Sequence, residues 1–179
     1  IDKCSTGANP EEFISFIRET HATICNDIAT ELKNFNAKET MQKLDGVLKE
    51  FERLLQAVSA FGECPPSVYC RIMGMGELMS APIMESILSA KGYKVALIDS
   101  SNMIITTGNQ GEGDPDYHLT DEAFKPYRKG EVAGDAQILL FPGFICGWKA
   151  NAESEPVMGL LGRNGSDFSA AIVGASLRS

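Results

Sequence analysis

Histidine is scarce: only His21 and His118 occur in 179 residues, and neither sits in an HxxxH pair, so a histidine-based metal site has no support. Five cysteines, Cys4, Cys25, Cys64, Cys70 and Cys146, are odd in number and include no CxxC pair. That pattern excludes a disulfide framework and a thiolate zinc site, and it fits reduced thiols in a cytoplasmic protein. Basic residues are outnumbered, 16 against 24 acidic, for a net charge of −8, and they are scattered. A nucleic-acid or anionic-membrane surface needs clustered Lys and Arg, so both partners are excluded, and any phosphorylated ligand must be held locally. No apolar run approaches the ~18 residues that span a bilayer, and no signal-peptide core opens the chain. The first residue is Ile1, with no Met, which fits a processed or excised sequence.

What remains is ordinary for a globular protein, with 44% hydrophobic and 22% charged residues, enough to bury a real core. Asn9-Pro10-Glu11-Glu12 reads as a helix start, with Asn9 as cap, Pro10 in the first turn and Glu12 closing a capping box. Phe13, Ile17, Ile24, Ile28 and Leu32 follow at helical spacing. A polar break at Lys33-Asn34-Phe35-Asn36 precedes a second periodic run, Met41, Leu44, Leu48, Phe51, Leu55 and Val58. Residues 1–61 are therefore expected to form an antiparallel helical hairpin whose job is packing or partner contact. Gly62-Glu63-Cys64-Pro65-Pro66-Ser67 marks the expected boundary with an α/β region over 62–179.

In that second region a short helix is expected near Ser67, and Gly74-Met75-Gly76 precedes another that places Glu77 in its first turn and ends at Lys91-Gly92. Such a carboxylate suits a ligand's ammonium group, and it is equally ordinary helix-dipole chemistry. Val95 to Asp99 and Met103 to Thr106 read as buried strands. The acidic, Gly-rich stretch from Gly108 to Asp116 lacks the spaced ligands of an EF-hand and reads as a surface loop. Thr120 is expected to cap a short helix through Phe124, with Pro126 limiting it, before a strand over Gln137 to Pro142 and a loop at Gly143-Phe144-Ile145.

The chain is organised around Gly159-Leu160-Leu161-Gly162-Arg163-Asn164-Gly165-Ser166-Asp167-Phe168-Ser169-Ala170-Ala171. A Gly-punctuated turn feeds a helix from Ser166, with Phe168, Ala171, Ile172 and Ala175 at helical spacing. Helix starts expose unpaired N–H groups and partial positive charge, so an anion is favoured at Gly165-Ser166-Asp167. Gly162 and Gly165 admit close approach, and Arg163 offers a planar fork for a carboxylate. Taken alone, the same residues are also a plain N-cap beside a solvated arginine. Strand ends in α/β sheets converge on ligands, so Gly143-Phe144 and the Gly162 turn are expected to share one pocket.

Gly-Arg-Asn-Gly-Ser-Asp-Phe-Ser-Ala-Ala resembles the Gly-Arg-Gly-Gly-Ser-Asp-(Tyr/Phe)-(Ser/Thr)-Ala-Ala segment of aspartate kinases in the amino-acid kinase family, and Asn164 resembles the variant of bifunctional aspartate kinase–homoserine dehydrogenases. Gly76-Glu77 is similar to the family's Gly-Glu-x-(Leu/Met)-Ser, and Phe141 to Ile145 to its Val-Pro-Gly-Phe-Ile. The three strings keep the family's order. The resemblance implies a partial three-layer α/β/α sandwich of amino-acid kinase type, transferring the ATP γ-phosphoryl group with Mg²⁺ to the β-carboxylate of L-aspartate for Lys, Thr and Met synthesis.

Carried over by position, the resemblance implies that Arg163 holds a substrate carboxylate and Glu77 the ammonium. Phe144 would form the wall, Asn164, Gly165 and Ser166 the substrate side of the turn, Gly165 and Ser166 the phosphate cradle, and Asp167 the organiser of the reacting centre. The family's Lys-Phe-Gly-Gly-Thr-Ser strand and its Trp-Thr-Asp-x-Asp-Gly-Val nucleotide segment do not occur in this sequence. The expectation is thus an internal piece of an aspartate kinase domain, inactive in isolation, with regulatory modules and any dehydrogenase domain outside it. An exposed sheet edge implies self-association into a homo-oligomer. Two other readings remain: a relative acting on glutamate, carbamate or a nucleotide, and a non-catalytic interaction module.

Overall fold

A computed structural model describes residue 1, residues 9–132 and residues 134–178. The reading of Cys4 falls outside them. The chain divides into two compact units, Ile1–Val95 and Ala96–Ser179.

The first unit is helical: α1 (Glu11–Glu31), α2 (Ala37–Phe61) and α3 (Pro66–Ala90). Asn9 Oδ1 accepts the Glu11 amide just outside α1, and Pro10 occupies the N-cap without a side-chain cap bond. Asn36 caps α2 by accepting from Glu39 N at 3.1 Å, and Gly62 ends it in the left-handed conformation that glycine adopts without strain. Cys25, Phe35, Leu44, Leu48, Met75, Met79 and Ile83 form one core cluster, drawing on all three helices. A second cluster joins Ile14, Leu55, Val58 and Ile72. The Gly62–Ser67 connection thus lies inside this unit, between α2 and α3.

Two expectations about α3 are corrected. It runs unbroken through Gly74, Gly76 and Pro82, so there is no second start at the glycines and Glu77 is a mid-helix residue. Gly74 and Met75 are buried, and burying one side of a long helix outweighs the ~1 kcal/mol that each interior glycine costs.

The second unit carries β1 (Val95–Leu97), which begins at the junction, then a 3₁₀ turn (Ser100–Asn102), β2 (Ile105–Asn109) and β3 (Glu112–Pro115). Next come α4 (Tyr117–Arg128), β4 (Ile138–Leu140), β5 (Ile145–Trp148), β6 (Val157–Leu160) and α5 (Gly165–Leu177). β1 pairs with β4, and a four-stranded sheet runs β3-β2-β5-β6, with β2 and β5 parallel and both outer pairings antiparallel. Ile104, Cys146, Leu161 and Ile172 form the core between sheet and helix.

The expected surface loop after Gly108 is instead the β2–β3 hairpin, in which Asn109 pairs with Glu112 across Gln110-Gly111. Thr120 does not cap α4: Asp116 does, accepting from the amides of His118 and Leu119, while buried Thr120 Oγ1 accepts the Ile105 amide. Pro126 lies inside α4, which continues to Arg128. The mixed arrangement of helices and sheets is an α/β fold. No helix among the described residues is long and apolar enough to cross a membrane.

Candidate functional site

The site grows from two short segments of the second unit. Pro142-Gly143-Phe144 leaves β4, and the Ser100 hydroxyl, buried in the 3₁₀ turn, donates to the Pro142 carbonyl at 2.6 Å. Phe144 takes a positive φ of 67°, rare for a bulky side chain, and three bonds hold the turn there. Ile145 N donates to Gly143 O at 2.7 Å, Leu161 N to Phe144 O at 2.9 Å, and Phe144 N to Ser169 Oγ at 3.2 Å. The second segment follows β6: Gly162 turns at φ 72°, Asn164 sits in the left-handed region at φ 56°, and α5 begins at Gly165.

These segments touch. A Cβ on Gly165 would come within 2.6 Å of Phe144 Cδ2 and 3.2 Å of Phe144 Cα, and one on Gly143 within 3.1 Å of Ser166 Cα. Phe144, Gly165 and Ser166 therefore form one continuous surface because two glycines remove the side chains that would separate them. A cleft of about 330 Å³ beside it is lined by Phe141, Gly143, Ser166, Ser169, Ala170 and Val173 among others.

The start of α5 is open. Asn164 makes no side-chain cap bond, and the amides of Ser166 and Asp167 have no acceptor among the described residues. Arg163, Ser166 and Asp167 are exposed, and neither Arg163 nor Asp167 joins an ion pair within the described residues. An arginine, two acceptor-free amides, a hydroxyl and a carboxylate thus share five consecutive positions. Such an arrangement favours an anion at the amides and a carboxylate at the guanidinium.

Six of the seven residues expected from the sequence, Phe144, Arg163, Asn164, Gly165, Ser166 and Asp167, lie together here. Glu77 belongs to the first unit, half-buried on α3, with no ion pair among the described residues. The face of α5 differs from the expected one: Phe168, Ala171 and Ala175 are exposed, while Gly165, Ser169 and Ile172 are buried. Sequence reasoning passed over Ser169, whose burial was not visible in so uniformly small and apolar a helix; a serine three residues after Ser166 was the available signal.

No family model matches the chain. It is 30% identical over 155 residues to the bifunctional aspartokinase/homoserine dehydrogenase of Buchnera aphidicola, a match covering 86% of this chain and 18% of that protein. The corresponding protein of Haemophilus influenzae is 30% identical over 159 residues, 89% of this chain and 18% of its own length. Among solved structures, E. coli aspartokinase III in complex with aspartate and ADP matches with a TM-score of 0.80 at 19% identity, over 99% of this chain and 37% of that one. The fold is thus the α/β fold found in an aspartokinase. The chain's homologues are aspartokinases and bifunctional aspartokinase/homoserine dehydrogenases, of which it matches a part. It spans about a fifth of the length of those bifunctional relatives.

Proposed function

We propose that the chain supplies the aspartate-binding part of an ATP-dependent aspartate kinase, making 4-phospho-L-aspartate as the first step towards Lys, Thr and Met. The observation that carries this reading is the uncapped start of α5, with two acceptor-free amides beside the unpaired Arg163. A dicarboxylate amino acid and a phosphate are the anions such a place takes, and the homologues are named as aspartokinases.

In this reading Arg163 holds one carboxylate through its fork and Phe144 walls the substrate, while the ammonium role rests for Glu77 on the resemblance of Gly76-Glu77 alone. Asn164 shapes the turn, Gly165 and Ser166 cradle the phosphate, and Asp167 fixes the orientation of the reacting carboxylate. The ATP, bound with Mg²⁺, supplies the γ-phosphoryl group that the aspartate β-carboxylate oxygen takes as the bond to the leaving ADP breaks. The residues present fit a phosphate through the amides of Ser166 and Asp167. No group of three or more His, Cys, Asp or Glu that could hold a metal ion occurs among the described residues. The protein's share of such catalysis is positioning and charge stabilisation.

The missing Lys-Phe-Gly-Gly-Thr-Ser and nucleotide strings leave this chain alone without turnover. The test is hydroxylamine trapping of the acyl phosphate in the full-length polypeptide carrying this chain, with aspartate, glutamate or no acceptor, beside Arg163→Ala and the 179-residue chain. Hydroxamate with aspartate only, falling at least a hundredfold in Arg163→Ala, is expected from the loss of a bidentate charged contact. Hydroxamate with glutamate would assign a different acceptor, and none with any acceptor would leave an interaction module.

A further inference from the structure

Ser169 is 3% exposed, and both of its hydrogen-bonding capacities are spent locally. Its Oγ accepts the Phe144 amide at 3.2 Å and donates to the Ser166 carbonyl at 2.9 Å. One hydroxyl therefore bridges a strained strand-end turn and the first turn of a helix. These two segments bear the aromatic ring and the anion-binding amides.

We propose that Ser169 is a positioning residue for aspartate: its hydroxyl holds the Phe144 turn against the start of α5, so that the aromatic wall and the anion cradle keep one geometry. The proposal rests on the reading of Phe144 as the substrate wall. Phe144 stands at φ 67°, where a bulky residue stays only if its surroundings over-determine it. Of the bonds made by the backbone groups of Phe144 itself, the one to Ser169 is the only one to a side chain among the described residues, and the Ser100 hydroxyl holds the turn two residues earlier at the Pro142 carbonyl. The others, Leu161 N to Phe144 O and Ile145 N to Gly143 O, are made by the backbone whatever residue stands at 169. Ser169 also lines the cleft beside Gly143 and Ser166. Without the hydroxyl the Phe144 amide loses its acceptor, and the turn is free to relax towards an ordinary backbone conformation, carrying the ring off Gly165. Binding then has to restore the bound geometry from a population in which it is no longer dominant, and affinity falls by that fraction.

The experiment uses the full-length polypeptide carrying this chain, with amide hydrogen exchange read at Phe144 and at buried Ile104, and with L-aspartate titrated into wild type, Ser169→Ala, Ser169→Thr and Arg163→Ala. Ser169→Ala is expected to speed exchange at Phe144 by about tenfold or more, with Ile104 unchanged, and to weaken aspartate binding by about tenfold, as loss of one buried hydrogen bond implies. Ser169→Thr, which keeps the hydroxyl, restores both. Arg163→Ala weakens binding and leaves Phe144 exchange as in wild type, which separates losing a ligand contact from losing a support. Ser169→Ala that exchanges and binds like wild type overturns the proposal alone. So does a loss of protection at Ile104 together with Phe144 that threonine does not rescue, because that is general unfolding. A wild-type full-length polypeptide that keeps Phe144 protected and does not bind aspartate overturns the functional reading, and this proposal with it.

Discussion

Position 164 requires a left-handed backbone: Asn164 sits at φ 56°, ψ 26° as the residue that turns the chain into α5. Glycine enters that region freely and asparagine is the side-chain-bearing residue that tolerates it best, so Asn164 is a conformational equivalent of the glycine in the segment that the sequence resembles. Asn164→Gly is expected to change stability by a few tenths of a kcal/mol. Asn164→Val, β-branched and strained at positive φ, should cost about 1–3 kcal/mol in urea unfolding monitored at Trp148. Equal midpoints for the two variants would mean that the left-handed turn is not a constraint on this position. For the same reason the residue types at the candidate site were legible in the sequence. Glycines and an asparagine before a helix announce a special backbone, and an arginine among them announces an anion. The conformation of Phe144 was not legible, because nothing in Pro-Gly-Phe-Ile distinguishes an extended phenylalanine from one held at φ 67° by a serine 25 positions later.

Elements were readable in proportion to how much of their register is written in local periodicity. The stripe Leu44, Leu48, Leu55 and Val58 located α2 because an amphipathic surface repeats every 3.6 residues, and those positions are buried. The β2–β3 hairpin was not readable. Its second strand, Glu112–Pro115, has no apolar alternation and is held by pairing with β2. β5 and β6 were likewise hidden, being four residues each and carrying Gly147 and Gly159 where the backbone of Ser101 and the side chain of Trp148 press close. Between elements, α4 is tied to α5 by Arg128, whose Nη1 donates to the Ser176 carbonyl at 2.7 Å while the guanidinium pairs with Asp121 at 2.8 Å. The hydrogen bond from Arg128 holds the Asp121 carboxyl below its ordinary 3.8. Since the folded form keeps its charge to lower pH than the unfolded form, this contribution is present above pH 3.8 and is lost as pH falls through the lower folded value. The pair is exposed on the aspartate side, so the effect is modest. Thermal unfolding from pH 6 to 3 should therefore show a slightly steeper acid loss in wild type than in Asp121→Asn, and identical slopes would remove Asp121 from the account.

At the scale of the whole molecule, the balance of charge and the open sheet edges pull in opposite directions. A net charge of −8 keeps copies apart at low ionic strength, and it leaves any bound phosphate dependent on the local field at α5. Against that repulsion stands the small β1–β4 sheet, two strands of three residues each, whose outer backbone groups face no further strand among the described residues. Unpaired edges of short apolar strands are templates for another chain, and Val95-Ala96-Leu97 and Ile138-Leu139-Leu140 carry none of the charged or proline residues that normally block an edge. Salt screens the repulsion and leaves the backbone pairing intact. Self-association is therefore expected to rise from about 0.05 M to 0.5 M salt, the opposite of what a charge-paired interface would do. Sedimentation velocity over a hundredfold concentration range reads the association. Hydrogen exchange at residues 95–97 and 138–140, slowed at high protein concentration and high salt, would place it at this edge. A clean monomer throughout, or association that salt weakens, would show that the edge is covered in some other way and that any oligomer of this protein is built elsewhere.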